Sequence, residues 1–193
     1  MYSVHTTPGF IINAQPYGEA GKVLQIFTRD LGLVTAIAQG IRLEKSKLRY
    51  HTIDLSRGSF SLVRGRDLWR LVGAEADQRI TLNREAQALL ARLAQLLRRL
   101  LQGEDAEPAL YDCLADSLGY IERQSIDGPS TLKLAEVLIV FRLLHQMGYI
   151  GDDTRFAVFL TEPVITADLV EKALPLKKLL VQQINQALAA SHL

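Results

Sequence analysis

The hydrophobic pattern of this chain of 193 residues changes period near residue 77. Before that point, short apolar runs alternate with turns that contain glycine, which is typical of strands. After it, apolar residues recur every three or four positions, as they do on one face of a helix. The first part contains five strand-like runs, at residues 9–12, 23–27, 33–38, 59–62 and 69–72. Five short strands with tight turns predict a small closed barrel, and the OB-fold is the commonest barrel of this kind.

The second part of the chain predicts four helices. Thr81 or Asn83 can cap the first, which Gly103 ends, and the others lie at about residues 108–121, 132–147 and 168–190. The third helix is apolar almost all round, so we expect it at the centre of the helical part. Pro175 should kink or split the fourth helix. Residues 149–165 are expected to form a loop or a short hairpin. The sequence therefore predicts an α+β chain, with an OB-fold domain over residues 1–78 and an all-α domain over residues 79–193.

Charge is distributed unevenly along the chain. Residues 1–73 hold ten Lys and Arg against five Asp and Glu, a balance of +5, whereas residues 74–193 hold twelve against sixteen, a balance of −4. A basic first part favours a polyanionic partner, because clustered cations attract phosphates. We therefore predict that the OB-fold domain binds nucleic acid and that the acidic all-α domain binds protein partners. Two basic turns and the strand after the second one carry the cations that we predict to bind DNA: Arg42, Lys45, Lys47, Arg49, Arg64, Arg66 and Arg70.

Aromatic residues follow both basic turns. Tyr50 and His51 come after the first turn, where their rings are suited to stacking on bases. Trp69 comes after the second turn, but a tryptophan on a strand packs in a core more often than it offers an open ring. The alternative interpretation of both turns is that they are solvated and that their cations only keep the chain in solution.

No residue pattern for catalysis or metal binding is present in the sequence. The single Cys113 excludes an intrachain disulfide and a Cys-rich zinc site, and the four histidines are dispersed. We therefore expect no enzyme activity, no metal and no cofactor. No segment is apolar for long enough to span a membrane, and the N-terminus lacks the pattern of a secretion signal. We expect a soluble, cytoplasmic protein that has no membrane contacts.

Several residues of the first part stand in a characteristic order: Tyr17-Gly18-Glu19, Phe27-Thr28, Gly32, Ala38, Gly40, Arg42, Ser46, Leu48 and Arg64-Gly65-Arg66. In this order and spacing they resemble the RecO family of recombination mediators. The segment from Phe141 to Tyr149 is similar to the central C-terminal helix of that family. The chain departs from the family pattern at several points. Gln39 stands where Lys is usual, Glu44 interrupts the basic run, and the Gln-Pro-Phe that follows the loop in the family is absent. Many members also carry a Cys-rich zinc element, which a single Cys cannot supply.

The resemblance implies a mediator that works in the repair of damaged DNA and in homologous recombination, in association with the nucleoid. Such a protein binds single- and double-stranded DNA, acts with RecR, anneals complementary strands and helps to load RecA onto strands coated by the single-stranded-DNA-binding protein SSB. An alternative remains open, namely an OB-fold adaptor whose barrel binds a protein partner and whose DNA binding is incidental.

The resemblance also implies a binding site for the C-terminal tail of SSB on the third helix. The tail is acidic and ends in an aromatic residue, so it requires an apolar slot with cations at the rim. Leu143 and Leu144 are predicted to form the slot, and Arg142 and Lys133 are predicted at the rim. The alternative is that the helix is wholly core and that its apolar residues only pack.

Overall fold

In the computed structural model of the chain, residues 3–43, 46, 56–76, 82–127 and 132–191 are described. Five strands close into a barrel in the order β1-β2-β3-β5-β4, and the fourth strand pairs back onto the first. All neighbours are antiparallel except β3 and β5, which are parallel. This order confirms the predicted OB-fold barrel. The strands are β1 (Val4–Tyr17), β2 (Gly21–Thr28), β3 (Gly32–Ala38), β4 (Arg57–Arg64) and β5 (Trp69–Ala76).

The first strand is much longer than its apolar run predicts. It has 14 residues because its two ends pair with different neighbours. Its first half pairs with β4 from Val4 to Phe10, and its second half pairs with β2 from Gly9 to Tyr17. The register shifts between Ile11 and Asn13, which lets one strand serve two edges of the barrel.

Alternating side chains fill the interior of the barrel, as the period of a strand requires. Along β3, for example, Val34, Ala36 and Ala38 point inward and are fully buried. Removing these apolar side chains from water provides the main drive for closing the barrel. The core consists of Ile11, Leu24, Ile26, Val34, Ala36, Ala38, Ile41, Phe60, Leu62, Trp69 and Leu71.

Six helices follow the barrel among the described residues, together with a short 3₁₀ turn at Thr154–Phe156. The Asn83 side chain caps the first helix, where its Oδ1 accepts a hydrogen bond from the Ala86 amide at 2.9 Å. None of the helices in the described part of the chain is long and apolar enough to cross a membrane. The helices are α1 (Arg84–Leu100), α2 (Pro108–Asp127), α3 (Leu132–Gln146), α4 (Ala157–Thr161), α5 (Ala167–Lys172) and α6 (Lys177–Ala190).

The chain divides into two compact units whose limits differ from the change of period. The first consists of Met1–Arg79 and Ala94–Pro108, and the second of Ile80–Leu93 and Ala109–Leu193. Within the first unit, the segment after α1 lies against the start of β3, where the Leu33 amide donates to the Gly103 carbonyl at 3.1 Å. The barrel unit therefore includes residues that follow the strands by more than twenty positions.

The second unit is built around α3. This helix packs against α4, α5 and α6, and most of its side chains are buried, as its apolar pattern predicts. Pro175 lies between α5 and α6 and splits the predicted fourth helix in two. The prediction of a loop or hairpin over residues 149–165 is wrong, because this segment contains the 3₁₀ turn and α4. Phe156 and Phe159 are buried there, and so short an apolar run does not reveal its period.

Candidate nucleic-acid interface

The outer face of β2, β3 and β5 carries a row of three side chains across the barrel. Val23 pairs with Ile37, and Ile37 pairs with Arg70. Their neighbours Leu24 and Leu71 point into the core, so these three side chains point outward. Adjacent strands lie about 4.8 Å apart. Arg70 therefore stands exposed at one end of a short apolar row.

The first basic segment begins beside the turn between β1 and β2. The Arg42 amide donates to the Ala20 carbonyl of that turn at 3.0 Å, and the Arg42 side chain is exposed. Tyr17, the last residue of β1, pairs with Gly21 across the same turn and leaves 52% of its surface exposed. An exposed cation and an exposed ring thus share one end of the barrel, and Tyr17 was missing from the predicted site. Its position before a glycine turn was the available signal.

The second basic turn connects β4 with β5. The Gly65 amide donates to the Leu68 carbonyl at 3.0 Å, which closes the turn and leaves the Arg66 side chain exposed. Neither Arg66 nor Arg70 forms an ion pair with any residue that the structure describes. No described residue therefore competes with an external anion for their guanidinium groups.

Arg64 differs from its two neighbours because its guanidinium group is already bound. It forms a salt bridge with the carboxylate of Glu104, and its Cζ lies 5.0 Å from the centroid of the Trp69 ring. The Trp69 ring is only 5% exposed, its Nε1 donates to Glu104 Oε1 at 3.1 Å, and the His5 ring meets it edge-on. Trp69 thus belongs to the core, as the sequence favours, and does not offer an open face to a base.

Three of the predicted DNA-binding cations lie outside the described residues. These are Lys45, Lys47 and Arg49, so their assignment stays a prediction. The four described ones fall into two kinds. All four are exposed, but Arg64 is paired with Glu104, whereas Arg42, Arg66 and Arg70 form no ion pair with another described residue.

The residues predicted to hold the SSB tail lie mostly in the core of the second unit. Leu143 and Leu144 are 0% exposed, so they line the interior and not an open slot. Arg142 is 6% exposed, its Nη2 donates to the Pro163 carbonyl at 3.3 Å, and its Nη1 lies 3.8 Å from the Asp116 carboxylate. Of the four, only Lys133 is exposed. The burial agrees with the alternative that this stretch of α3 packs the core, because α3 is covered by three other helices.

Among the described residues, the side chains that could bind a metal or act as a nucleophile are dispersed. Cys113 is buried, and the loss of water raises the pKa of its thiol, so it stays protonated at neutral pH. His145 Nε2 lies 2.9 Å from Asp152 Oδ1. Within the described residues, no group of three or more His, Cys, Asp or Glu is close enough to hold a metal ion.

The chain is similar in sequence to a known family of proteins. Residues 1–78 match the family model described as "Recombination protein O N terminal". The chain is similar to proteins named "DNA repair protein RecO". It is 32% identical over 151 residues to the one from Gloeothece citriformis, which covers 77% of this chain and 53% of that protein. It is 33% identical over 144 residues to the one from Clostridium perfringens, which covers 73% of this chain and 57% of that protein.

A third relative gives the same result. The protein of this name from Aromatoleum aromaticum is 32% identical over 152 residues, covering 74% of this chain and 57% of that protein. The chain spans about half the length of these curated relatives. The matched N-terminal domain is the barrel that carries Arg42, Arg66 and Arg70, and the similarity extends beyond it into the helices. By this domain and this similarity, the chain belongs to the RecO family.

Proposed function

We propose that the chain is a DNA repair protein that acts as a recombination mediator and that its barrel binds the phosphates of single- and double-stranded DNA. One observation carries the proposal. The domain that matches the RecO N-terminal model exposes Arg66, in the turn between β4 and β5, and Arg70, beside β3, and neither forms an ion pair among the described residues. Arg42 stands exposed four residues after the end of β3, beside the turn between β1 and β2. Cations in this arrangement attract phosphates without reading the base sequence.

The chemistry of the site fits a protein that holds a strand and passes it on. Phosphate contacts made by exposed arginines exchange quickly and weaken with salt. The exposed ring of Tyr17 adds a surface on which any base can stack. Neither contact breaks a bond, so the proposed role in annealing complementary strands and in helping to load RecA requires no catalytic group.

Partner proteins are proposed for the helical unit, because residues 74–193, which include it, carry a net charge of −4 and are a poor surface for DNA. The family relationship supports SSB and RecR as partners, with RecA contacted indirectly. Lys133 is the exposed cation on α3 that we propose for the acidic tail of SSB. Because Leu143 and Leu144 are buried, the apolar end of the tail requires a different contact.

The DNA-binding proposal is tested by titrating the full chain into a labelled single-stranded oligonucleotide at two salt concentrations. Fluorescence anisotropy should show binding that weakens as salt rises, with little difference between two unrelated sequences. Binding that is independent of salt would contradict the phosphate contacts. No binding at either concentration would favour the adaptor, whose barrel binds a protein. Leu43, Leu68 and Val72 are exposed apolar residues of the barrel unit that such a partner would contact.

The partner proposal is tested separately with SSB that either has or lacks its C-terminal tail. We expect intact SSB to retain the chain in a pull-down and the truncated protein to lose it. Lys133→Glu should weaken the retention, whereas Lys177→Glu, which reverses another exposed charge, this one on α6, should not. Equal retention by both forms of SSB would rule out the tail as the contact.

A further inference from the structure

One acidic side chain contacts both residues that flank the second basic turn. Glu104 Oε2 binds the guanidinium of Arg64, the last residue of β4. Its Oε1 accepts the indole hydrogen bond of Trp69, the first residue of β5, at 3.1 Å. The Arg64 guanidinium in turn lies over the Trp69 ring. The three side chains form a closed set within the barrel unit, with the carboxylate supplied from 40 residues beyond Arg64.

The backbone around Glu104 is anchored on the barrel by two neighbours. The Gly103 carbonyl accepts the Leu33 amide at 3.1 Å, and the Asp105 backbone lies so close to Gly32 that no Cβ would fit between them. These contacts hold the segment at the start of β3. The backbone contacts of its two neighbours therefore fix the position of Glu104 relative to Arg64.

A carboxylate and a phosphate compete for the same donors of a guanidinium group, because both accept its paired N–H groups. We propose that Glu104 determines which arginines of the nucleic-acid site contact phosphate. Its carboxylate occupies Arg64 and leaves Arg66 and Arg70 as the cations of this turn that contact phosphate. The inference rests on the proposed DNA binding and assigns different roles to three arginines that the sequence presents as equivalent.

An ordinary surface salt bridge is the competing explanation. The side chains of Arg64 and Glu104 are 55% and 42% exposed, and pairs of this kind contribute little to stability. Under that explanation, the pair has no effect on DNA. Under the proposal, removal of the Glu104 charge frees a guanidinium that the Trp69 ring already holds in place. The salt dependence of DNA binding distinguishes the two, because it counts phosphate contacts.

The experiment compares the full chain with Glu104→Gln, which removes the charge but keeps an oxygen to accept the Trp69 indole. Affinity for a labelled single-stranded oligonucleotide is measured by anisotropy over a range of salt. We expect severalfold tighter binding at low salt and a log–log slope steeper by about 0.7, the value for one added phosphate contact. Glu107→Gln is the matched control, since it removes the same charge from an exposed side chain of the same segment.

Two further variants test the assignment without relying on Glu104. Arg64→Ala should leave the slope unchanged, because its guanidinium is occupied, whereas Arg66→Ala should make the slope shallower by about 0.7. The inference is overturned if Glu104→Gln binds like the parent, if Glu107→Gln has the same effect, or if Arg64→Ala flattens the slope as Arg66→Ala does. Absence of DNA binding by the parent chain and by Glu104→Gln would overturn the proposed function itself.

Discussion

Two arginines that the sequence assigns to external partners are bound within their own units. Arg64 pairs with Glu104, and Arg142 contacts Asp116 and the Pro163 carbonyl. The sequence shows where cations stand, but not whether their donors are occupied, because the acceptors lie far along the chain. The exposed cations Arg66 and Arg70 and the exposed ring of Tyr17 could be nominated from local pattern alone, although Tyr17 was not.

The burial of Arg142 has a consequence for stability. Arg142→Glu would bring a second carboxylate against Asp116 inside the helical unit, with neither charge paired. We expect the free energy of unfolding to fall by about 3 kcal/mol or more, the usual cost of breaking a buried pair. Lys133→Glu, an exposed charge reversal on the same helix, should change it by less than about 0.5 kcal/mol. Urea denaturation followed by circular dichroism measures both, and equal midpoints would mean that Arg142 is solvated.

At the scale of elements, the local sequence pattern predicted where most strands of the barrel lie. It predicted less well the contacts between distant parts of the chain that close the barrel. The apolar run of residues 33–38 and the hairpin turn that leads into it were sufficient to place β3. The full length of β1 was hidden, because its ends are polar and its pairing with two neighbours is not local. The segment after α1 that completes the barrel unit carries no strand pattern, so its contact with Leu33 could not be foreseen.

Gly32 tests the contact between this segment and β3. Its φ is +67°, and a Cβ there would collide with the Asp105 backbone. Gly18 has a similar φ of +58° in the same barrel but nothing within 4 Å of its Cβ position. Gly18→Ala should therefore cost only the strain of the left-handed conformation, about 1 kcal/mol. Gly32→Ala should cost at least about 1 kcal/mol more, because the segment must also shift.

Chemical denaturation of the two alanine variants gives this comparison directly. A larger loss of unfolding free energy for Gly32→Ala is expected. If both variants lose the same amount, the segment around Asp105 does not pack on the start of β3 in solution.

At the scale of the whole molecule, the barrel unit is larger than the family domain that identifies it. The domain match ends at residue 78, whereas the unit also contains Ala94–Pro108. The single tryptophan of the chain, Trp69, reports on this difference, because its indole nitrogen is bonded to Glu104. We expect the emission of the full chain to be that of a buried indole, and the emission of a fragment ending at residue 78 to shift to longer wavelength. Identical spectra would show that the later segment does not cover Trp69.

Charge is segregated at the same scale, with a balance of +5 in residues 1–73 and −4 in residues 74–193. From this asymmetry, the sequence predicts that the barrel and not the helical part binds DNA. It cannot predict which individual cations are accessible to phosphate, because that depends on exposure and pairing. Arg42, Arg66 and Arg70 meet both conditions among the described residues.

The most direct test of the account is the salt dependence of single-stranded DNA binding by two triple variants of the full chain. One replaces Arg42, Arg66 and Arg70 by alanine. The other replaces Lys133, Lys177 and Lys178, which are exposed on the helical unit and carry the same total charge. The barrel variant should bind more weakly, with a log–log slope shallower by about 2, and the helical variant should keep the parent slope. Equal slopes for the two variants would contradict the assignment of DNA binding to the barrel.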